Sequence, residues 1–192
     1  MHDARHELRT ERLLLRRWRD ADRAPFAALN ADPEVMRYFP SRPDRATSDL
    51  IIDKAEASFE AEGFGLWAVE RLDGERFIGF IGLARATFEM PFTPCVEIGW
   101  RLAREAWGHG YATEGAIAVR DRAFAVVGLD ELLSWTTVAN TPSRRVMERI
   151  GMSHDPTDDF DHPRLDAGDP LRPHVLYRLS RERWDAVSSG GR

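Results

Sequence analysis

The stretch from Val96 to Val127 constrains the chain most. It reads as an apolar strand over 96–102, a loop over 103–111 and a helix opening near Ala112. The loop runs Arg104-Glu105-Ala106-Trp107-Gly108-His109-Gly110-Tyr111-Ala112. Its alternate glycines let the backbone turn tightly with no Cβ in the way. The following helix turns unpaired N–H groups and the positive end of its dipole toward that turn. Strand, glycine-bearing turn and helix N-terminus together make an anion site, most often for phosphate. An ordinary strand-to-helix turn has the same spacing, so the neighbouring residues must decide.

Two related motifs are excluded. A dinucleotide fingerprint needs a third glycine where Thr113 stands, and a P-loop needs Gly-Lys-Ser/Thr, whereas the chain's one lysine is Lys54.

The segment Glu97-Ile98-Gly99-Trp100-Arg101-Leu102, followed by Trp107-Gly108-His109-Gly110-Tyr111-Ala112-Thr113-Glu114, resembles the acyl-CoA-binding core of the GNAT superfamily of N-acetyltransferases. It is most similar to the Rim-type branch, which includes ribosomal-protein N-terminal acetyltransferases. The superfamily signature Gln/Arg-x-x-Gly-x-Gly/Ala falls on Trp107, Gly110 and Ala112. Trp107 departs from it in the manner of the branch's Trp-Gly-x-Gly-Tyr form. A second patch, Asn140 to Met152, resembles the branch's Asn-x-x-Ser … Gly-Phe segment. A third, Thr10 to Trp18 with Asp32-Pro33-Glu34-Val35-Met36, resembles its N-terminal region. The three patches stand in the expected order from about residue 9 to about 180.

The 192 residues suit a single domain with a sizeable core. The net charge of -5 and the lack of a basic block give no support to a nucleic-acid partner. Cys95 is the lone cysteine, so an internal disulfide is impossible and the cytosol is the expected compartment. No apolar run is long enough to span a membrane, and 1–7 do not read as a secretory signal.

Strands are expected over 10–18, 64–71, 77–86, 96–102, 132–138 and 174–179. Asp73-Gly74 marks a hairpin between the second and third. Helices are expected from Asp20 or Asp22 through Ala31, from Asp32 to about Tyr38, and from Leu50 to Glu62 capped by Thr47-Ser48-Asp49. Further helices are expected over 112–127, from Thr141-Pro142 to Ile150, and as a closing turn over 181–187, with 188–192 frayed. The acidic stretch 155–169 reads as an exposed loop. Arg120 falls inside the apolar arc of the 112–127 helix and is expected to snorkel, a buried ion pair or a cofactor contact being the alternative. The mixture predicts an α/β fold with a mixed sheet and helices on both faces. The resemblance implies the same: a mostly antiparallel sheet in which the strands at 96–102 and 132–138 part to hold a pantetheine arm.

The resemblance also implies acetyl transfer from acetyl-CoA to a primary amine by direct attack, with no metal. A free amine with a pKa near 10 is deprotonated in roughly one molecule per thousand at pH 7, so its proton must be taken. The thioester oxygen needs a donor as it gains charge. Diphosphate contacts fall on the amides of Trp107, Gly108, His109, Gly110, Tyr111, Ala112 and Thr113, and pantetheine pairing on Trp100 and Leu102. Asn140 corresponds to a contact with the cofactor arm, or is a plain helix cap. The tyrosine that many relatives use as an acid is replaced by Met147. Ser143 is then the candidate contact for the leaving thiol, or a first-turn serine bonded to backbone. Glu97 is the candidate base, or a structural carboxylate paired with an arginine. Glu114 suits the helix dipole. Trp18, Trp67 and Trp100 read as core. Cys95 lacks an activating histidine, and His154, Asp155, Asp158, Asp159, Asp161 and His162 fit no metal-ligand spacing. The acceptor, whether peptide or small amine, is not readable, although the loops at 40–48, 87–95 and 155–172 should select it. Homodimers are frequent in the branch. Two rivals are a CoA-binding module without turnover and an unrelated nucleotide-binding protein.

Overall fold

The computed structural model describes residues 6–74 and 76–189. The first strands are β1 (Leu8–Arg9) and β2 (Leu13–Arg16), which form a small hairpin with Leu8 opposite Leu15. The expected single strand over 10–18 is therefore shorter and interrupted. Thr10 caps the turn, its Oγ1 accepting from the Leu13 N–H at 3.0 Å. α1 (Arg23–Ala31) follows one turn of 3-10 helix at Asp20–Asp22. The expected helix after Asp32 is instead a run of turns, with Met36 N–H bonded to the Asp32 carbonyl. α2 (Arg45–Glu62) begins five residues earlier than expected. Asp44 is its cap, accepting from the Thr47 N–H, and Gly63 ends it at φ 74°.

β3 (Leu66–Arg71) and β4 (Arg76–Arg85) form the expected hairpin, with Glu75 outside the described residues. β5 (Val96–Leu102) pairs antiparallel with β4 along its whole length. α3 (Tyr111–Arg122) runs on as a π-helical turn over Ala123–Val127 and stops at Gly128. Then come β6 (Glu131–Thr137), α4 (Thr141–Arg149), β7 (Ser153–His154), β8 (Phe160–Asp161), β9 (Pro173–Ser180) and α5 (Arg181–Ser189). The acidic stretch is thus more ordered than a bare loop: β8 pairs with β9, and Phe160 packs inward. α5 runs through Ser189, past the expected fraying point, and 190–192 lie outside the described residues.

The sheet order is β1-β2-β3-β4-β5-β6-β9-β7, with β8 also on β9. Among the described residues every strand pair is antiparallel except β5 with β6. Two apolar clusters fill the two faces. Ile81, Ile98, Leu102, Val119, Phe124 and Met147 lie on the α3–α4 side. Trp18, Phe26, Ile52, Ala68 and Phe80 lie on the α1–α2 side. Trp18 and Trp67 are core as expected, and Trp100 is partly buried against the core. Gly115 lets α3 press onto the sheet, since a Cβ there would meet Ile81 Cδ1 at 2.4 Å.

Arg120 does not snorkel. It is buried, donates from Nη1 to the Ile150 carbonyl at 2.8 Å and pairs with Asp121 at 2.7 Å. It therefore ties the end of α4 to α3, because a buried guanidinium is tolerated only with partners. Among the described residues, no helix is long and apolar enough to cross a membrane.

Candidate active site

The seam between β5 and β6 is the centre of the molecule. The two strands share one parallel bridge, Glu97 with Leu133. Just beyond it Ser134 Oγ donates to the Ile98 carbonyl at 2.8 Å. Past these ties no further β5–β6 pairing is present among the described residues. Backbone groups of alternate residues face the same strand edge. Ile98 presents its carbonyl to β6, so Trp100 and Leu102 turn theirs toward the gap. Trp100 thus has a free edge there. Leu102 is more committed, since the Trp107 indole N–H donates to its carbonyl at 2.9 Å.

At the far end of β5 a 3-10 turn (Arg104–Ala106) leads into the glycine loop. Gly108 and Gly110 take φ of 79° and 81°, left-handed values at which an L side chain is strained. Trp107 N–H is used by the Arg104 carbonyl, which removes it from the expected set of open donors. The first helical bond of α3 runs from the Glu114 N–H to the Gly110 carbonyl. The amides of Gly108, His109, Gly110, Tyr111, Ala112 and Thr113 thus have no acceptor among the described residues. A hollow of about 450 Å³ lies beside them, lined by Gly110, Thr113, the cations Arg12 and Arg149 and the carboxylates Glu11 and Glu114. The open amides suit a diphosphate, whereas Arg12 in that lining is already paired with Glu114.

The loop is braced from the N-terminal hairpin. Glu114 accepts from Thr10 Oγ1 at 2.6 Å, from the Arg12 N–H at 2.8 Å and from Arg12 Nε at 2.7 Å. Arg12 Nη1 in turn donates to the His109 carbonyl at 3.0 Å. Burial would raise the Glu114 carboxyl, but the bonds from Thr10 and Arg12 outweigh it and hold the group below its usual range. Glu114 is therefore structural, as expected, and Arg12 is the partner that sequence reasoning missed.

Across the gap, Asn140 is the cap of α4. Its Oδ1 accepts from the Ser143 N–H at 3.3 Å, and its Nδ2 donates to Thr136 Oγ1 at 2.9 Å. The cap alternative accounts for this side chain as it stands. Ser143 is partly exposed in the first turn, its N–H used by the cap. Met147 is buried in the core.

Glu97 and Gly99 lie on the α1–α2 face of β5, opposite Ile98 and Leu102 in the other core. Glu97 is half-buried and has no ion-pair or hydrogen-bond partner among the described residues, so the arginine-paired alternative does not hold. Burial alone pushes its carboxyl up to about 8. Cys95 is pushed up to about 11 by burial and then by Glu97, which leaves it a thiol rather than a nucleophilic thiolate. The bridge register sets Trp135 level with Gly99 on this face. Trp135 packs on Phe88 and Phe92, with ring centroids 5.4 and 6.0 Å away, and Phe160 joins them. This aromatic wall was not foreseen, because its members come from three separate segments. No group of three His, Cys, Asp or Glu that could hold a metal occurs among the described residues. His154 is instead bonded to Asp159 at 2.7 Å, and Arg178 to Asp158 at 2.6 Å.

A family profile described as Acetyltransferase (GNAT) domain matches residues 12–153. The FsC-acetyl coenzyme A-N(2)-transacetylase of Aspergillus fumigatus is 34% identical over 167 residues, covering 81% of this chain and 68% of that relative. A solved acetyltransferase from Agrobacterium tumefaciens str. C58 is 31% identical with a TM-score of 0.72, covering 90% of this chain and 93% of that one. Mycobacterium smegmatis RimJ in complex with CoA-disulfide shares the fold at 21% identity, with a TM-score of 0.72 and coverage of 94% and 90%.

Proposed function

The chain belongs to the GNAT family of acetyltransferases, and on that premise we propose how its own residues divide the work of acetyl transfer from acetyl-CoA to a primary amine. The observation that carries the reading is the parting of β5 from β6 beside six open amides. A diphosphate on the amides of Gly108 to Thr113 sets an attached pantetheine along the free edge of Trp100. Acetyl-CoA supplies an activated acetyl thioester; the chain supplies position, donors and a proton acceptor.

The acceptor enters from the α1–α2 face, over Gly99. Glu97 takes the amine proton, directly or through water. A carboxylate titrating near 8 is matched to that task better than an exposed one near 4. Backbone donors on the gap edge of β5 meet the thioester oxygen as it gains charge. Ser143, at the first turn of α4, meets the leaving thiol. Asn140 positions that turn through its two bonds rather than by donating to the ligand itself.

Mixing the protein with acetyl-CoA and a panel of amines and following free thiol tests the reading. Amine-dependent thiol release is expected. Tight acetyl-CoA binding with no release over the whole panel points to a binding module without turnover.

A further inference from the structure

Arg101 has no role in the chemistry described so far, yet it lies on the same face of β5 as Glu97 and Gly99. Its Nη1 donates to Asn30 Oδ1 at 2.6 Å. Its guanidinium carbon stands 4.2 Å from the Phe39 ring centroid and 5.4 Å from that of Phe80. Asn30 is itself fully buried and fixed by a 3.0 Å bond to the buried Ser48. The guanidinium is thus held from one side by an amide and flanked by two aromatic rings.

What it lacks is a counter-charge. No carboxylate among the described residues lies within ion-pair reach, and its Nε is sequestered without a hydrogen-bond partner. Other shielded arginines of the chain differ. Arg16 is paired with Asp22 and Glu70, and Arg23 with Asp53. Burial pulls the Arg101 cation below its usual range, to about 10. A shielded cation without an anion is costly, and planar stacking leaves a guanidinium edge suited to a carboxylate.

Gly99 is the second observation. Its φ is not in the left-handed region, and a Cβ there would meet nothing nearer than Glu97 Oε1 at 4.0 Å. Neither backbone strain nor crowding calls for glycine at this position. Its effect is an open floor between Glu97 and Arg101, whose Cα atoms are about 13 Å apart along the strand.

We propose that the acceptor is an amine that also carries a carboxylate, with the amine at Glu97 and the carboxylate on Arg101. This rests on the acetyl-transfer reading for the amine end, but the anion site can be tested apart from it. Glycine, ω-amino acids of increasing length and dipeptides are compared as acceptors with their carboxamide twins and with polyamines. In parallel, calorimetry measures binding of the N-acetylated products and their carboxamides, which needs no turnover.

The expected result is a kcat/KM for at least one acid more than tenfold above its carboxamide, with polyamines poorer still. Arg101→Met should erase the acid preference and leave acetyl-CoA affinity unchanged. Arg101→Lys should keep only part of it, because the two-point geometry is lost. Equal turnover of acids and carboxamides overturns the inference while acetyl transfer stands. Arg101-dependent binding of N-acetyl carboxylates without turnover supports the anion site and removes the catalytic reading. No acid preference in either measurement overturns the proposal. The wild-type comparison decides even where Arg101→Met does not fold.

Discussion

Ser134 Oγ donates to the Ile98 carbonyl at 2.8 Å, and the two strands part immediately beyond that bond. The serine closes off the carbonyl at the apex of the gap, where no β6 amide meets it. Ser134→Ala should strand a buried acceptor at a cost of about 1–3 kcal/mol. Thermal denaturation should show the loss. Acetyl-CoA titration should show weaker binding, because the apex sets how far the gap opens.

Glu97 should govern the pH profile. A base must be deprotonated, so kcat/KM should rise with pH and level off above about 8. Glu97→Gln should remove that limb and lower kcat/KM by about 10²–10⁴-fold.

The same carboxyl makes a stability prediction of definite sign. Its folded pKa is raised, so the folded state favours the protonated form. Stability is undiminished below the ordinary value of 4.5 and falls as pH rises toward 8. Each unit is worth about 1.4 kcal/mol, and partial exposure reduces the total to roughly 2–4 kcal/mol. Denaturant melts of wild type and Glu97→Gln should agree near pH 4 and diverge by pH 8, with the variant the more stable.

Gly110 holds φ 81° as the cap of α3, and a Cβ added there would meet only Arg12 Nη2, at an ordinary 3.6 Å. Conformation rather than space is the constraint. Gly110→Ala should cost about 1–2 kcal/mol and turn the following amides off their common focus. Equilibrium dialysis should report a larger loss of CoA affinity than the stability change alone accounts for.

Arg120 is bonded to none of the residues assigned to the chemistry and links α3 to α4. Arg120→Met should leave the Ile150 carbonyl unpaired and Asp121 without its cation. A loss of about 2–4 kcal/mol is expected, read as a lowered Tm. Turnover per folded molecule should be preserved.

The local signals in the chain were good guides where chemistry is local. Gly108 and Gly110 marked the loop, Asp73-Gly74 the hairpin, and Asn140 with Pro142 the start of α4. Contacts between distant segments were less legible. Nothing near Glu114 announces that Arg12 will reach it, and Trp135 meets Phe88, Phe92 and Phe160 only after three loops close. Arg101 could have been noticed, since strand alternation places it on the Glu97 face, but its missing counter-charge is a fact of three dimensions. The acidic run 155–169 misled because composition said loop, while one aromatic, Phe160, drew part of it into a strand.

The parallel bridge at Glu97 and Leu133, the one such bridge among the described residues, divides the sheet into two ladders, β1 to β5 and β6 to β9, each internally continuous. A ligand lying along Trp100 supplies rungs that the polypeptide leaves out. Its binding energy then appears partly as mechanical union of the two halves. Amide protons flanking the seam should exchange more slowly once it is filled, those nearest Trp100 and Thr136 most of all.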